Sequence, residues 1–267
     1  MTELIRANVL ANFAYYRRSR LLIAFLLVFL LLTGLESLPA LFSDSGVQAF
    51  NTLQGIFSTL NLYLLLFAGG LSLFLISSSL RSRSLKMVFT KPCPPSVWLA
   101  STFLSAVAVS LLLNCVVLAS MVVMSLFWHV PIRAGLLFIS ADTFIASVGI
   151  IAYLMLLASV MHPAIAVTFA LIFNAGMFYD FQFWTQSAIR AGNSSLGLRV
   201  LEKAFHYLYI LLPMVHAFGK KTEGIYSSLR VLHGEWKYLV YAFGYVLALS
   251  AFCYLAALSA LQRKRYI

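Results

Sequence analysis

Acid is what this chain lacks most. Eight aspartates and glutamates stand against 19 lysines and arginines, and charged residues make up only 10% of the 267 positions. Soluble globular domains carry about a quarter charged residues, so that class is excluded. Cysteine is scarce too: Cys93, Cys115 and Cys253 are odd in number and show no C-x-x-C spacing. That argues against a disulfide framework and against a zinc site. There is no H-E-x-x-H, and the histidines at 129, 162, 206, 216 and 233 make no metal-ligand spacing inside an apolar run. They also leave no base inside an apolar run to activate a serine, so a membrane protease or acyl transferase is disfavoured. No G-x-x-x-x-G-K-[ST] frame occurs; "FGKKT" at Phe218–Thr222 holds the only Gly-Lys pair without the glycine-rich cradle a phosphate needs.

What is present is grease. Hydrophobic residues make up 62% of the chain, in runs of about 20 residues that match a hydrocarbon core of about 30 Å. These runs fall at 20–42, 56–80, 97–128, 137–161, 163–184 and 238–262. The fold class is therefore an all-α polytopic membrane protein with six transmembrane helices. The third run exceeds one span and is expected to tilt or to project at Trp128 and His129. Only "HP" separates the fourth from the fifth, which demands a tight antiparallel turn with Pro163 in the first turn of the next helix.

Residues 1–19 are not a span. Ile5, Val9, Phe13 and Tyr16 recur at helical spacing, with Glu3, Arg6, Arg17 and Arg18 elsewhere on the wheel, which fits an interfacial helix. A signal peptide is the alternative, but no small-x-small cleavage site follows and five further spans do. The formal charge of +11 does not gather on one soluble face. Cations cluster at the ends of apolar runs, so orientation signals and the lipid bilayer explain them, and no nucleic acid is expected.

With the N-terminus inside, eleven of the 19 cations fall on the cytoplasmic side and eight outside, a weak bias. A seven-span alternative uses "AFHYLYILLPMVHAF", Ala204–Phe218, as another crossing. Fifteen residues reach only about 22 Å, and Pro213 interrupts them. A re-entrant hairpin before the last span, within an extracytoplasmic loop at 185–237, fits better.

Between the second and third spans lies "RSRSLKMVFTKPCPPS", residues 81–96, with Arg81, Arg83, Lys86 and Lys91 and no acid. Leu85, Val88 and Phe89 form an i, i+3, i+4 apolar stripe, and Pro92 ends that short helix. The stripe suits either a helix-in-groove contact or an ordinary basic loop that dips into the interface.

The whole order of elements resembles the membrane subunits of exporter-type (type-2) ABC transporters. The shared features are an interfacial helix ahead of six spans, a lysine-proline motif ending a short coupling helix ("FTKPCPPSVWLAS"), and a re-entrant hairpin around "YILLPMVHAF". The chain also closes on basic residues and an aromatic, "LQRKRYI". The resemblance covers essentially the full length and implies one transmembrane permease domain, 1–267, with residues 81–95 as its cytoplasmic coupling loop. It implies contact of Arg83, Leu85, Lys86, Val88, Phe89 and Lys91 with a cytoplasmic ABC ATPase subunit. ATP and Mg would be held by that partner, with no cofactor in this chain and no catalytic residue. A second permease copy or a related permease would complete the transporter. The expected location is the bacterial inner (plasma) membrane, with both termini cytoplasmic.

Polar residues interrupt the spans. A carboxylate at mid-bilayer costs about 2.5–3.5 kcal/mol on insertion scales. Asp142 and Asp180 fall towards outer span ends, with Arg133 and Arg190 near in sequence as pairing candidates. Asn114 and Asn174 lie deeper and either bond across helices or line a path. By the resemblance, Asn61, Asn174 and Tyr179 join Asn114 as candidate substrate-path residues. Trp128, Tyr179, Phe181, Phe183, Trp184, Trp236 and Tyr238 read as an interfacial aromatic belt. Two alternatives to export remain: a mechanotransmitting permease driving an extracytoplasmic partner through 185–237, and an ion-coupled secondary transporter. The latter lacks midplane charges and inverted repeats here.

Overall fold

The computed structural model describes residues 2–18, 20–38, 46–80, 94–132, 134–172, 175–192, 195–211 and 236–265. No strand occurs among the described residues. The helices are α1 (Thr2–Arg18), α2 (Leu21–Ser37), α3 (Gly46–Leu80), α4 (Pro95–Phe127) and α5 (Ala134–Val160), followed by α6 (Pro163–Ile172), α7 (Ala175–Arg190), α8 (Leu196–Leu211) and α9 (Trp236–Arg265). Four are long and apolar enough to cross a bilayer: α3 through Thr52–Ile76, α4, α5, and α9 through Trp236–Arg263. The chain has the makeup of an integral membrane protein.

These four coincide with the second, third, fourth and sixth expected spans. The first falls on α2, whose 17 residues reach about 26 Å. The fifth divides between α6, of 10 residues, and α7, of 16, and positions 173 and 174 between them lie outside the described residues. Helix α3 starts at Gly46, ten residues before its apolar run. Gln48, Asn51 and Gln54 end the hydropathy signal there, but "VQAFNTLQ" holds no proline and several good helix formers.

Helix α5 is the centre of the bundle and packs against α3, α4, α6 and α9. Its buried positions include Gly135, Ser140, Ala146, Ser147, Gly149, Ala152, Ala158 and Ser159. Between lipid-embedded helices close approach of small residues replaces the hydrophobic effect as the packing force. Gly69 of α3 makes the same kind of contact, since a Cβ there would meet Leu154 Cδ1 at 3.2 Å. One apolar cluster joins Tyr16, Phe57, Leu60, Leu64, Leu113, Val117, Met121 and Phe138. A second joins Leu73, Leu99, Met155, Ala166, Ala257 and Leu261.

The amphipathic stripe of α1 turns towards protein. Tyr16 is 1% exposed, Phe13 packs beside the first cluster, and Asn12 Nδ2 donates to Ser105 Oγ of α4 at 3.1 Å. Tyr15 stacks on Phe74 of α3 at 6.3 Å. Between α5 and α6 the chain turns through Met161 and His162, and Ala166 N–H donates to the His162 carbonyl at 2.9 Å. Pro163 opens α6, where its missing N–H costs nothing.

Helix α4 ends at Phe127, with Trp128 and His129 in the turn beyond it. Val130 N–H donates to the Ser125 carbonyl and His129 N–H to that of Leu126, the paired bonds of a Schellman cap. The left-handed position of this cap is His129, at φ 53, where glycine carries no Cβ penalty. His129→Gly is therefore expected to stabilise the chain by about 0.5–1 kcal/mol, read as a higher melting temperature in detergent.

Candidate functional site

Most polar groups inside the bundle spend their hydrogen bonds on their own helix. Ser72 donates to the Gly69 carbonyl, Ser101 and Thr102 to that of Trp98, and Ser105 to that of Ser101. On α5, Thr143 donates to the Ile139 carbonyl and Ser159 to that of Leu156. Such back-bonding satisfies a hydroxyl in lipid and keeps the side chain short enough for close packing.

Two contacts cross from α4 to α5. Asn114 Nδ2 donates to the Ser140 carbonyl at 3.0 Å, and Ser140 Oγ donates to Asn114 Oδ1 at 3.0 Å. Ser110 and Ser147 hydroxyls bond each other. Asn114 thus has its donor and its acceptor engaged by one residue of the neighbouring helix. At the other end of α4, Tyr254 of α9 donates its hydroxyl to the Ser96 carbonyl at 2.8 Å.

The one buried carboxyl on α5 is Asp142, 3% exposed. Tyr238 of α9 is the polar group that faces it, and Asp142 Oδ1 has no hydrogen-bond partner among the described residues. Phe138, one turn away, sits edge-on to Trp236 at 5.5 Å and stacks with Tyr238 at 6.4 Å. An ionisable residue buried this fully in a spanning helix is the strongest chemical feature of the bundle.

The other candidates separate. Asn61 is buried in α3. Tyr179 lies outside the bundle and meets Tyr209 of α8 at 5.6 Å. Asp180 and Arg190 are both exposed on α7, and ten residues on one helix are about 15 Å apart, so they do not form the pair suggested by sequence proximity. Arg133 and Asn174 lie outside the described residues. So do Arg83, Leu85, Lys86, Val88, Phe89 and Lys91, all within 81–93, between the end of α3 at Leu80 and Pro94 ahead of α4. Among the described residues no group of three His, Cys, Asp or Glu is placed to hold a metal.

No family model matches the chain, and no curated protein or solved structure matches it.

Two arrangements escape a sequence reading. Tyr238 belongs to the aromatic belt by position, yet it faces Asp142. On α7 and α8, Gln186 Nε2 donates to Glu202 Oε1 at 3.0 Å and Gln182 Nε2 meets His206 Nδ1 at 3.2 Å. The i, i+4 spacings of Gln182 with Gln186 and of Glu202 with His206 were the available signal. They match an antiparallel pair of helices, each rung advancing one turn.

Proposed function

We propose that the chain is the permease subunit of an ABC transporter, moving a substrate outward with ATP hydrolysed by a separate subunit. The observation that supports this most is the α3–α4 corner. These helices pack along each other in the bundle and are consecutive, so they run antiparallel and residues 81–93 join them at one end. The segment that connects them in sequence is the basic one that carries Leu85, Val88 and Phe89. That is where a cytoplasmic ATPase would push on two long helices at once.

In this reading α2 is the first crossing, α6 with the first turn of α7 the fifth, and α9 the sixth, with both termini cytoplasmic in a bacterial inner membrane; the rest of α7 belongs to the hairpin that follows. The α7–α8 hairpin supplies the re-entrant element before the last span. A second copy or a related permease completes the assembly. Asn61, Asn114, Asn174 and Tyr179 are the candidate path residues in this reading.

The test is affinity purification of the chain in mild detergent with mass spectrometry of what accompanies it. A stoichiometric soluble partner carrying a P-loop is expected. Repeated gentle preparations in which the chain comes alone would overturn the reading and return residues 81–93 to an ordinary basic loop.

A further inference from the structure

The α7–α8 hairpin divides its side chains between two broad faces. Phe181 stacks on Phe205 at 5.4 Å across the pair. Trp184 follows Phe181 at i+3, while Leu201 and Leu208 flank Phe205 at i−4 and i+3, so all five share one face. Trp184 is 73% exposed, and Phe181, Leu201 and Leu208 are exposed as well. On the opposite side of the Gln182–His206 and Gln186–Glu202 rungs, Arg199 and Lys203 precede Glu202 and His206 by three residues each. Arg190 follows Gln186 by four. All three cations are exposed. Glu202, the one acid among them, already accepts from Gln186. The remaining acid of the hairpin, Asp180, sits near its base on α7.

Aromatic rings accompany the cations. Tyr207 follows Lys203 at i+4, and Phe183 precedes Arg190 by seven; both are exposed. A unit with a greasy face, a polar seam between its helices and cations edged by aromatics suits one environment well. The apolar face enters the acyl boundary and the cations reach phosphate headgroups. Among the described residues the hairpin packs chiefly on itself, and Phe181, Trp184, Leu201 and Leu208 are exposed. It follows α6 directly, which keeps it at the membrane.

We infer that the α7–α8 hairpin is a membrane-surface module that binds anionic lipid headgroups through Arg190, Arg199 and Lys203, with its Phe181–Trp184–Leu201–Leu208 face immersed in the bilayer. This inference does not depend on the transport reading. It assigns the occupant as lipid on grounds of charge: three exposed cations offer nothing to a zwitterionic surface that they do not offer more strongly to an anionic one. Each cation near an anionic surface contributes about five-fold in preference.

The full-length chain is purified in mild detergent and exchanged into mixed phosphatidylglycerol and phosphatidylcholine, and the lipid it retains is quantified. The expected result is enrichment of phosphatidylglycerol over the bulk ratio, reduced by about five-fold or more in Arg190→Gln/Arg199→Gln/Lys203→Gln. The charge-keeping variant Arg190→Lys/Arg199→Lys should retain the enrichment, which separates lost charge from lost folding. Enrichment that survives the triple substitution, or none in the parent chain, overturns the inference. Equal competition by inorganic phosphate assigns a soluble anion instead, and loss of a co-purifying acidic protein assigns a protein surface; both overturn it. In liposomes, with the native cysteines replaced, Lys203→Cys should react with a water-soluble thiol reagent while Leu201→Cys stays protected. Equal labelling refutes immersion of that face.

Discussion

Leu85→Asp/Phe89→Asp is expected to leave the chain inserted and folded while removing the coupling to an ATPase subunit that the proposed function requires. The two side chains are an i, i+4 pair on the apolar stripe of the segment joining α3 to α4. Burying either in a groove is worth about 1.5–3 kcal/mol. Replacing both with carboxylates inverts that term and adds the cost of desolvating charge. The expected loss exceeds a hundred-fold in affinity for the ATPase, since every 1.4 kcal/mol is tenfold. It is measured as co-purification and as substrate-stimulated ATP hydrolysis in reconstituted vesicles. Insertion should not change, because the segment lies between spans. Stimulated hydrolysis that survives the double substitution would remove the coupling role. Arg83, Lys86 and Lys91 lie on the surround of the stripe, and singly their replacement should weaken coupling by no more than a few-fold.

Phe138→Ala should carry the largest cost in stability. Phe138 is buried on α5 and touches two rings of α9, Trp236 and Tyr238. Large-to-small changes at such sites cost about 3–5 kcal/mol through lost contacts and the residual cavity. Lipid does not soften this, because a cavity between helices forfeits dispersion contacts whatever solvent surrounds the protein. Unfolding in mixed micelles should shift strongly for Phe138→Ala and by less than half as much for Phe138→Leu. A shift as small as that of a lipid-facing Leu247→Ala would show that α9 is not fastened to α5 at this point.

The long spans were legible because their apolar runs are continuous. For α4, α5 and α9 hydropathy alone finds the element to within a few residues. Helix α7 was less legible, since "MFYDFQFWTQSAIR" mixes aromatics with Asp180, Gln182, Thr185 and Gln186. An apolar-run reading stops at Trp184, whereas the helix runs to Arg190 and turns back as α8. The loop reading of 185–237 therefore held a hairpin arm, Leu196–Leu211, that begins eight residues before the expected re-entrant stretch. Pairings were harder still. Asn114 admits a structural and a path-lining role on sequence alone, and the rotation of α4 about its own axis decides which neighbour it meets. One residue along a helix turns a side chain by about 100°, so a span known to within two residues leaves the partner undetermined. Tyr238 and Asp142 illustrate the point, being 96 residues apart in sequence.

The hydroxyls of α4 and α5 have a mechanical corollary. Because most of them bond within their own helix, two helices lined this way slide past each other without losing hydrogen bonds, like polished rails. The α4–α5 contact is bolted at Asn114–Ser140 and Ser110–Ser147, one turn apart on α4. A stroke delivered at residues 81–93 would therefore carry α4 and α5 together as one lever, with α9 drawn along through Tyr254–Ser96 and α3 as the surface against which it swings.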